Sequence, residues 1–171
     1  MNTQNNAHDV YVAGLRNAHA MEKQALSIME PQVSRLTHYP DLSQRLQSHI
    51  SETEEQINRL DLILERLDES SSVIKDMMTS ASGSMAAMGH AAASDEVLKN
   101  TMANLAFENF EIAAYLSLLT AARLAGDTAS IQPLEQSLEE ERRMAAWVEE
   151  HVPAVTETFI SLKSAGETAK R

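Results

Sequence analysis

Five glycines and four prolines are all the helix-breaking punctuation in 171 residues. A chain so rarely interrupted, and dominated by Leu, Ala, Glu, Gln and Met, is driven toward long helices, because those residues have favourable helix propensities. The breakers then set the boundaries. A first helix is predicted from about Asp9 to Thr37, kinked or broken near Pro31. A second starts at Asp41, where "DLSQ" reads as a capping-box variant with Gln44 at its third position, and ends near Glu69. A Met- and Ala-rich stretch follows, from about Val73 to Ala93, broken by Gly83 and Gly89. A third helix starts after Ser94, with Asp95 and Glu96 in a first turn that favours acids, and stops at Gly126. A fourth runs from about Ser130 to Val152 and is stopped by Pro153. A short fifth helix, Val155 to Ser164, presents Val155, Phe159 and Leu162. Residues 1–8 and the tail 165–171 are expected to be loose.

The links between helices 1 and 2 and between helices 3 and 4 are short, which predicts two antiparallel hairpins. The link between helices 2 and 3 is long. Two hairpins joined by one long crossover make an all-α, ferritin-like four-helix bundle, here as a single domain with a short C-terminal helix. No apolar run is long enough to span a membrane, and no signal peptide opens the chain. With no cysteine, disulfides, thiol chemistry and Cys-ligated metals are excluded. A cytoplasmic protein fits these features. The net charge of −11 argues against nucleic-acid binding, which needs a basic face.

The acids are unusually placed. On a helical projection, Leu15, Ala18, Leu26, Met29, Val33 and Leu36 all fall within about 40° of Glu22, so Glu22 lies at the centre of the apolar face. Leu134, Ala145, Val148 and Val152 surround Glu141 in the same way. On helix 2 the stripe is Leu42, Leu46, His49, Thr53, Gln56 and Leu60. His49 is central there, and Glu52 lies about 100° from the stripe's mean. On helix 3, Glu108 is about 60° off the line of Leu98, Leu105, Ile112 and Leu116, with Glu111 at the stripe's edge. A single core-facing Glu is ordinarily protonated or paired with Arg, and a lone core His is ordinarily just hydrogen-bonded. Acids on all four helices, with few cations on the inner stripes, are better explained by metal ions, because buried unpaired charge is so costly. The candidate ligands are Glu22, His49, Glu52, Glu108, Glu111 and Glu141. An oxygen-rich set of this kind suits two iron or manganese ions better than copper or zinc.

These residues also resemble a family. "AHAMEKQAL", "HISETEEQINRLD", "FENFEIAAY" and "LEEERRMAAW", in that order, are similar to the YciE/YciF family of ferritin-like bacterial proteins (the DUF892 group). The resemblance covers nearly the whole chain. It implies a ferritin-like bundle, a homodimer and a link to bacterial stress responses. The family is similar in turn to rubrerythrin, which has a Glu-x-x-Glu pair on its third helix. That analogy implies Glu108 and Glu111 as ligands, with Glu22, Glu52 and Glu141. The rubrerythrin histidines have no counterpart, since Glu55 and Met144 stand at those offsets.

Two functions remain open at this stage. One is a di-iron or di-manganese carboxylate protein acting on peroxide or dioxygen, as a catalase, peroxidase or oxidase, or in iron handling. The other is a non-catalytic, dimeric stress scaffold whose metal site is structural or lost. The homodimer is expected to use the Met-rich crossover (Met77, Met78, Met85, Met88) and the Val155–Leu162 segment. Tyr115 and His19 are each one turn from an acid and are candidates to support the ligands, as Glu55 and Glu140 are to join them.

Overall fold

The structure, a computed structural model, describes residues 3–69 and 93–169. The expected Met-rich crossover segment lies outside the described residues. Helix α1 spans Thr3–Val33, α2 Pro40–Arg66, α3 Glu96–Ala125 and α4 Ile131–Ser164, with a short 3-10 turn at Thr128–Ser130 leading into α4.

Side-chain pairs fix the topology. Ser43 near the start of α2 donates to the Val33 carbonyl at the end of α1, and Arg16 in the middle of α1 meets Glu69 just beyond α2 at 2.5 Å, so α1 and α2 are antiparallel. Gln32 and Asn104 exchange two amide hydrogen bonds, 3.1 and 3.0 Å, which joins the end of α1 to the early part of α3. Arg66 at the end of α2 donates to Asp127 and Ser130 at the start of α4. Thus α2 ends beside Asp127 while α3 begins beside Arg35, at opposite ends of the bundle. That is the ferritin-like arrangement predicted, with two hairpins joined along the length of the bundle.

Local chemistry explains the boundaries, including those the sequence misplaces. α1 begins at Thr3, six residues before the expected Asp9, so residues 3–8 are helical rather than loose. Pro31 does not break α1, which continues two residues further. The expected capping box on α2 does not form. Pro40 takes the first helical position instead, where its missing N–H costs nothing and its φ is already helical. α2 closes at Leu67 with Asp68 left-handed at φ 58°, a conformation Asp tolerates better than most residues. Gly126 ends α3 at φ 82°, and the next N–H, that of Asp127, closes on the Ala122 carbonyl at 3.0 Å.

Pro153 does not stop the fourth helix. α4 passes through it, so the segment expected as a separate fifth helix is the last part of α4. Proline removes one hydrogen bond and crowds the preceding turn. Packing of Val155 and Phe159 into the core offsets that loss, since both are buried. Beyond α4 the chain folds back: Ala169 is buried and its carbonyl accepts the Tyr39 hydroxyl at 2.6 Å, which docks this part of the expected loose tail on the α1–α2 turn. Gly14 lets α1 approach α3 closely, as a Cβ there would sit 3.0 Å from a Leu118 methyl. Among the described residues no helix is long and apolar enough to cross a membrane.

Candidate metal centre

Midway along the bundle, His49 of α2, Glu108 and Glu111 of α3, and Glu141 of α4 each bring one ligand atom within 4.8 Å of the others. The i, i+3 spacing puts both α3 acids on one helical face. All four are buried, as is Glu22 on α1, which is 0% exposed. All four helices therefore send an acid or a histidine inward to one region.

His49 is held in a defined orientation. Its Nδ1 lies 2.8 Å from Glu52, which turns Nε2 into the cluster. There Nε2 sits 3.2 Å from a Glu108 oxygen and 3.3 Å from a Glu141 oxygen. Neither contact has hydrogen-bond geometry, so Nε2 meets these two carboxylates as ion pairs only. Those spacings match neighbouring donors around one ion, because metal–ligand bonds of about 2.0–2.2 Å at roughly right angles set donors about 3 Å apart.

The unpartnered atoms converge. Glu22 Oε2, His49 Nε2, Glu108 Oε2, both Glu111 oxygens and Glu141 Oε2 are buried without a hydrogen-bond partner. Each buried orphan costs about 1–3 kcal/mol. Native chains carry only a few per hundred residues, so six in one place, of which only His49, Glu108 and Glu141 meet as ion pairs, form a cluster that could hold a cation. The donor set, carboxylates with one imidazole, fits a divalent iron or manganese ion.

Without a cation, protons must take its place. Burial pushes the Glu22 carboxyl well above the ordinary range, the Glu141 charge pushes it further, and the Tyr115 hydroxyl only partly offsets both. Burial, then Glu22, Glu141 and Glu108, raises Glu111 in the same way. Burial pushes Glu108 up to about 7 despite the counteracting His49. Burial disfavours the His49 cation, but Glu108, Glu141 and Glu52 around it hold its pKa well above the usual value. Burial also opposes ionisation of Glu141, yet His49, Glu108 and Gln56 keep it below the ordinary range. In the metal-free cluster the surroundings therefore favour a charged His49–Glu141 pair and the protonated forms of Glu22 and Glu111.

Of the six residues predicted, His49, Glu108, Glu111 and Glu141 form one group. Glu22 stands beside them, its Oε1 accepting the Tyr115 hydroxyl at 2.6 Å. Glu52 stands behind His49, half-buried, with its carboxylate engaged by His49, Arg45 at 3.1 Å and Arg143 at 3.7 Å. Its pKa is about 2: burial pushes it up, and His49 and Arg45 together outweigh that. Glu55 is exposed. Glu140 is buried but turns to Arg59. His19 is buried against Asp61 at 3.1 Å, away from the cluster.

Two polar residues escaped the sequence reading as parts of the site. Gln56 donates to Glu141 and to Glu140, and Arg59 reaches Glu140 and Ser137. Gln56 was visible on the apolar stripe of α2, seven residues after His49, and a polar residue there needs a buried partner. Arg59 lies off the stripe and reaches inward on its long stem, which periodicity does not register.

An all-α bundle of two antiparallel hairpins joined along its length is a ferritin-like fold, and here it encloses a cluster of buried carboxylates and a histidine that could hold a metal ion. The chain belongs to the family described as Domain of unknown function (DUF892), whose model matches residues 6–161. It is 30% identical over 145 residues to Protein YciF of Escherichia coli K12, covering 78% of this chain and 82% of that one. Among solved structures it is similar to a protein from Xanthomonas campestris pv. campestris, at 34% identity and a TM-score of 0.77, over 92% of this chain and 99% of the other. YcfI from Rhodopseudomonas palustris matches at 28% identity and a TM-score of 0.67, over 84% and 92% of the two chains. The E. coli stress protein YciF matches at 24% identity and a TM-score of 0.66, over 85% and 94%, a likeness of fold.

Proposed function

We propose that this chain is a metal-carboxylate protein, binding iron or manganese through His49, Glu108, Glu111 and Glu141 with Glu22 alongside, and acting on peroxide or dioxygen. The observation that carries this reading is the convergence of six buried ligand atoms without hydrogen bonds from four helices. When bound, a pair of such ions supplies a clamp for both oxygens of a small oxidant and a source or sink of electrons. The protein's own contribution is to orient His49 through Glu52, to fix Glu22 through Tyr115 and to keep the cluster dry. A role in stress is consistent with the description of the E. coli relative as a stress protein.

Thermal denaturation tests the binding. Fe(II) under anaerobic conditions, or Mn(II), at about 100 times Kd contributes about 2.7 kcal/mol, a rise of roughly 5–11 °C in a domain of this size. In Glu22→Gln and Glu141→Gln that rise shrinks. The metal-free Glu22→Gln variant is no less stable than the metal-free wild type, because it loses a buried acid that burial disfavours, whereas metal-free Glu141→Gln is less stable, because it leaves the His49 cation without that buried carboxylate. Equal metal shifts in wild type and variants would exclude these glutamates as ligands.

The scaffold reading keeps one specific support. The outer face of α3 exposes Met102, Phe110, Leu116 and Leu124, at 56%, 55%, 45% and 68%. A long helix apolar on all sides is normally covered. We propose a homodimer through this face. Of the Val155–Leu162 segment also expected to serve this role, Val155 and Phe159 are buried within the chain while Ile160 is 58% exposed.

A further inference from the structure

Resting on the metal-binding reading, we infer that divalent ions enter and leave the bundle between α2 and α4, along Glu140 and Gln56, and that Arg59 is a displaceable cationic gate over this route. A line of hydrogen bonds runs inward there. Arg59 donates to Glu140, Gln56 Nε2 donates to Glu140 at 3.1 Å, and the same nitrogen donates to Glu141. Exposure falls along the line: the side chains of Arg59 and Glu140 are 14% and 8% exposed, whereas Gln56 and Glu141 are 0% exposed. Consecutive residues on a helix point about 100° apart, so Glu140 and Glu141 cannot share one direction. Gln56 links them from α2.

Each group inside Arg59 on this line offers oxygen to a cation. Gln56 Oε1 is buried without a hydrogen-bond partner, and it shares its amide carbon with the nitrogen that bridges the two acids. A bare buried carbonyl oxygen is costly, and a hard cation satisfies it. Arg59 occupies the position where such a cation is first captured, with its guanidinium on Glu140 Oε2 and its Nε donating to Ser137 Oγ at 3.1 Å. Its stem is long, so the charged end can swing into solvent without unpacking a helix. A doubly charged ion attracts Glu140 more strongly than the single charge of Arg59 does at the same distance. The other Glu140 oxygen accepts the Gln136 amide at 3.1 Å, which keeps the carboxylate in place when Arg59 leaves. Glu52, two turns earlier on α2, offers no such path. It meets His49 Nδ1, while Nε2 of the same ring faces Glu108 and Glu141, so the imidazole stands between Glu52 and the cluster. A ring nitrogen that donates its proton to Glu52 gives a passing cation nothing to coordinate.

Mn(II) uptake by the full chain, and Mn(II) transfer from the loaded chain to excess chelator, test this, with rates from rapid mixing and Kd from calorimetry. A residue on the route acts on the barrier and not on the bound state, so it changes both rates together and leaves Kd nearly unaltered. Arg59→Met keeps much of the stem and removes the gate, so uptake and release both quicken by at least about tenfold. Arg59→Lys retains the charge without the fork and quickens both by less. Because it keeps Glu140 paired, it reads the gate even where Arg59→Met fails to fold. Glu140→Gln removes the receiving carboxylate and leaves the Arg59 charge uncompensated at the mouth, so both rates slow. A purely structural ion pair would give one sign, since breaking it from either side loosens the fold. Unchanged rates, a change confined to release, or the same sign in the Arg59 and Glu140 variants would overturn the route while leaving metal binding intact. No Mn(II) or Fe(II) bound by the wild type would overturn both this inference and the metal-binding reading.

Discussion

Glu52 touches no unpartnered ligand atom, yet it sets what the cluster can do. Its carboxylate receives His49 Nδ1 at 2.8 Å and is held ionised beside Arg45, so the imidazole directs Nε2 inward. Partners of this kind typically govern metal affinity by about 10–100-fold. Glu52→Gln keeps the shape but removes the charge, and metal affinity measured by calorimetry should fall within that range. No loss would mean that Arg45 and packing alone orient the ring. Residue-level legibility followed the clarity of each helix's stripe. Glu22 and Glu141, central on their projections, are 0% exposed. Glu108 and Glu111 looked marginal, yet they are 2% and 1% exposed. The error has a cause: α3 is apolar nearly all round, so its inward direction is poorly defined by its own sequence and is set by α1 and α4 packing against it. Glu52 lay far off the stripe of α2, and its half-buried place behind His49 agrees with that angle.

The elements were legible wherever a breaker acts alone and illegible wherever packing outvotes it. Gly126 ends α3 because a positive φ there costs glycine little. Pro153 was expected to end α4 and does not, because the residues beyond it bury apolar surface that no local rule counts. The α3–α4 junction shows another non-local device. Asp127 accepts hydrogen bonds from Tyr11 at 2.8 Å, Ser130 at 2.7 Å and Arg66 at 2.5 Å, tying the ends of α1, α2 and α4 together. Burial pushes its pKa up, but Arg66, Ser130 and Tyr11 outweigh that and hold it below the ordinary 3.8. A depressed folded value means that Asp127's contribution is complete above the unfolded value and is lost as pH falls through the folded one. Asp127→Asn should cost about 1–3 kcal/mol at neutral pH. That cost should shrink progressively below about pH 4, where the wild-type carboxyl also becomes neutral. Urea midpoints of both proteins across this range check it, and a gap independent of pH would show that the charge is not what ties the junction.

At the scale of the molecule, charge and apolar surface are segregated. The chain carries a net charge of −11. Even so, the outer face of α3 places Met102, Phe110, Leu116 and Leu124 in solvent with only Asn109, Ser117 and Thr120 as exposed polar residues between Met102 and Arg123. A strongly acidic chain repels its copies, so an association between them needs a face free of acids. A twofold contact brings the same patch to both subunits, which suits Phe110, near the middle of the helix, as its centre. Phe110→Asp places two carboxylates against each other across such a contact. Its side chain is 55% exposed within one chain, so the fold itself should tolerate the change, leaving the far-ultraviolet dichroism and the Mn(II)-induced thermal shift intact. Light scattering at micromolar concentration should give a dimer for the wild type and a monomer for the variant. A monomeric wild type would mean that something other than a second copy covers α3. A dimeric variant would place the interface elsewhere on the bundle.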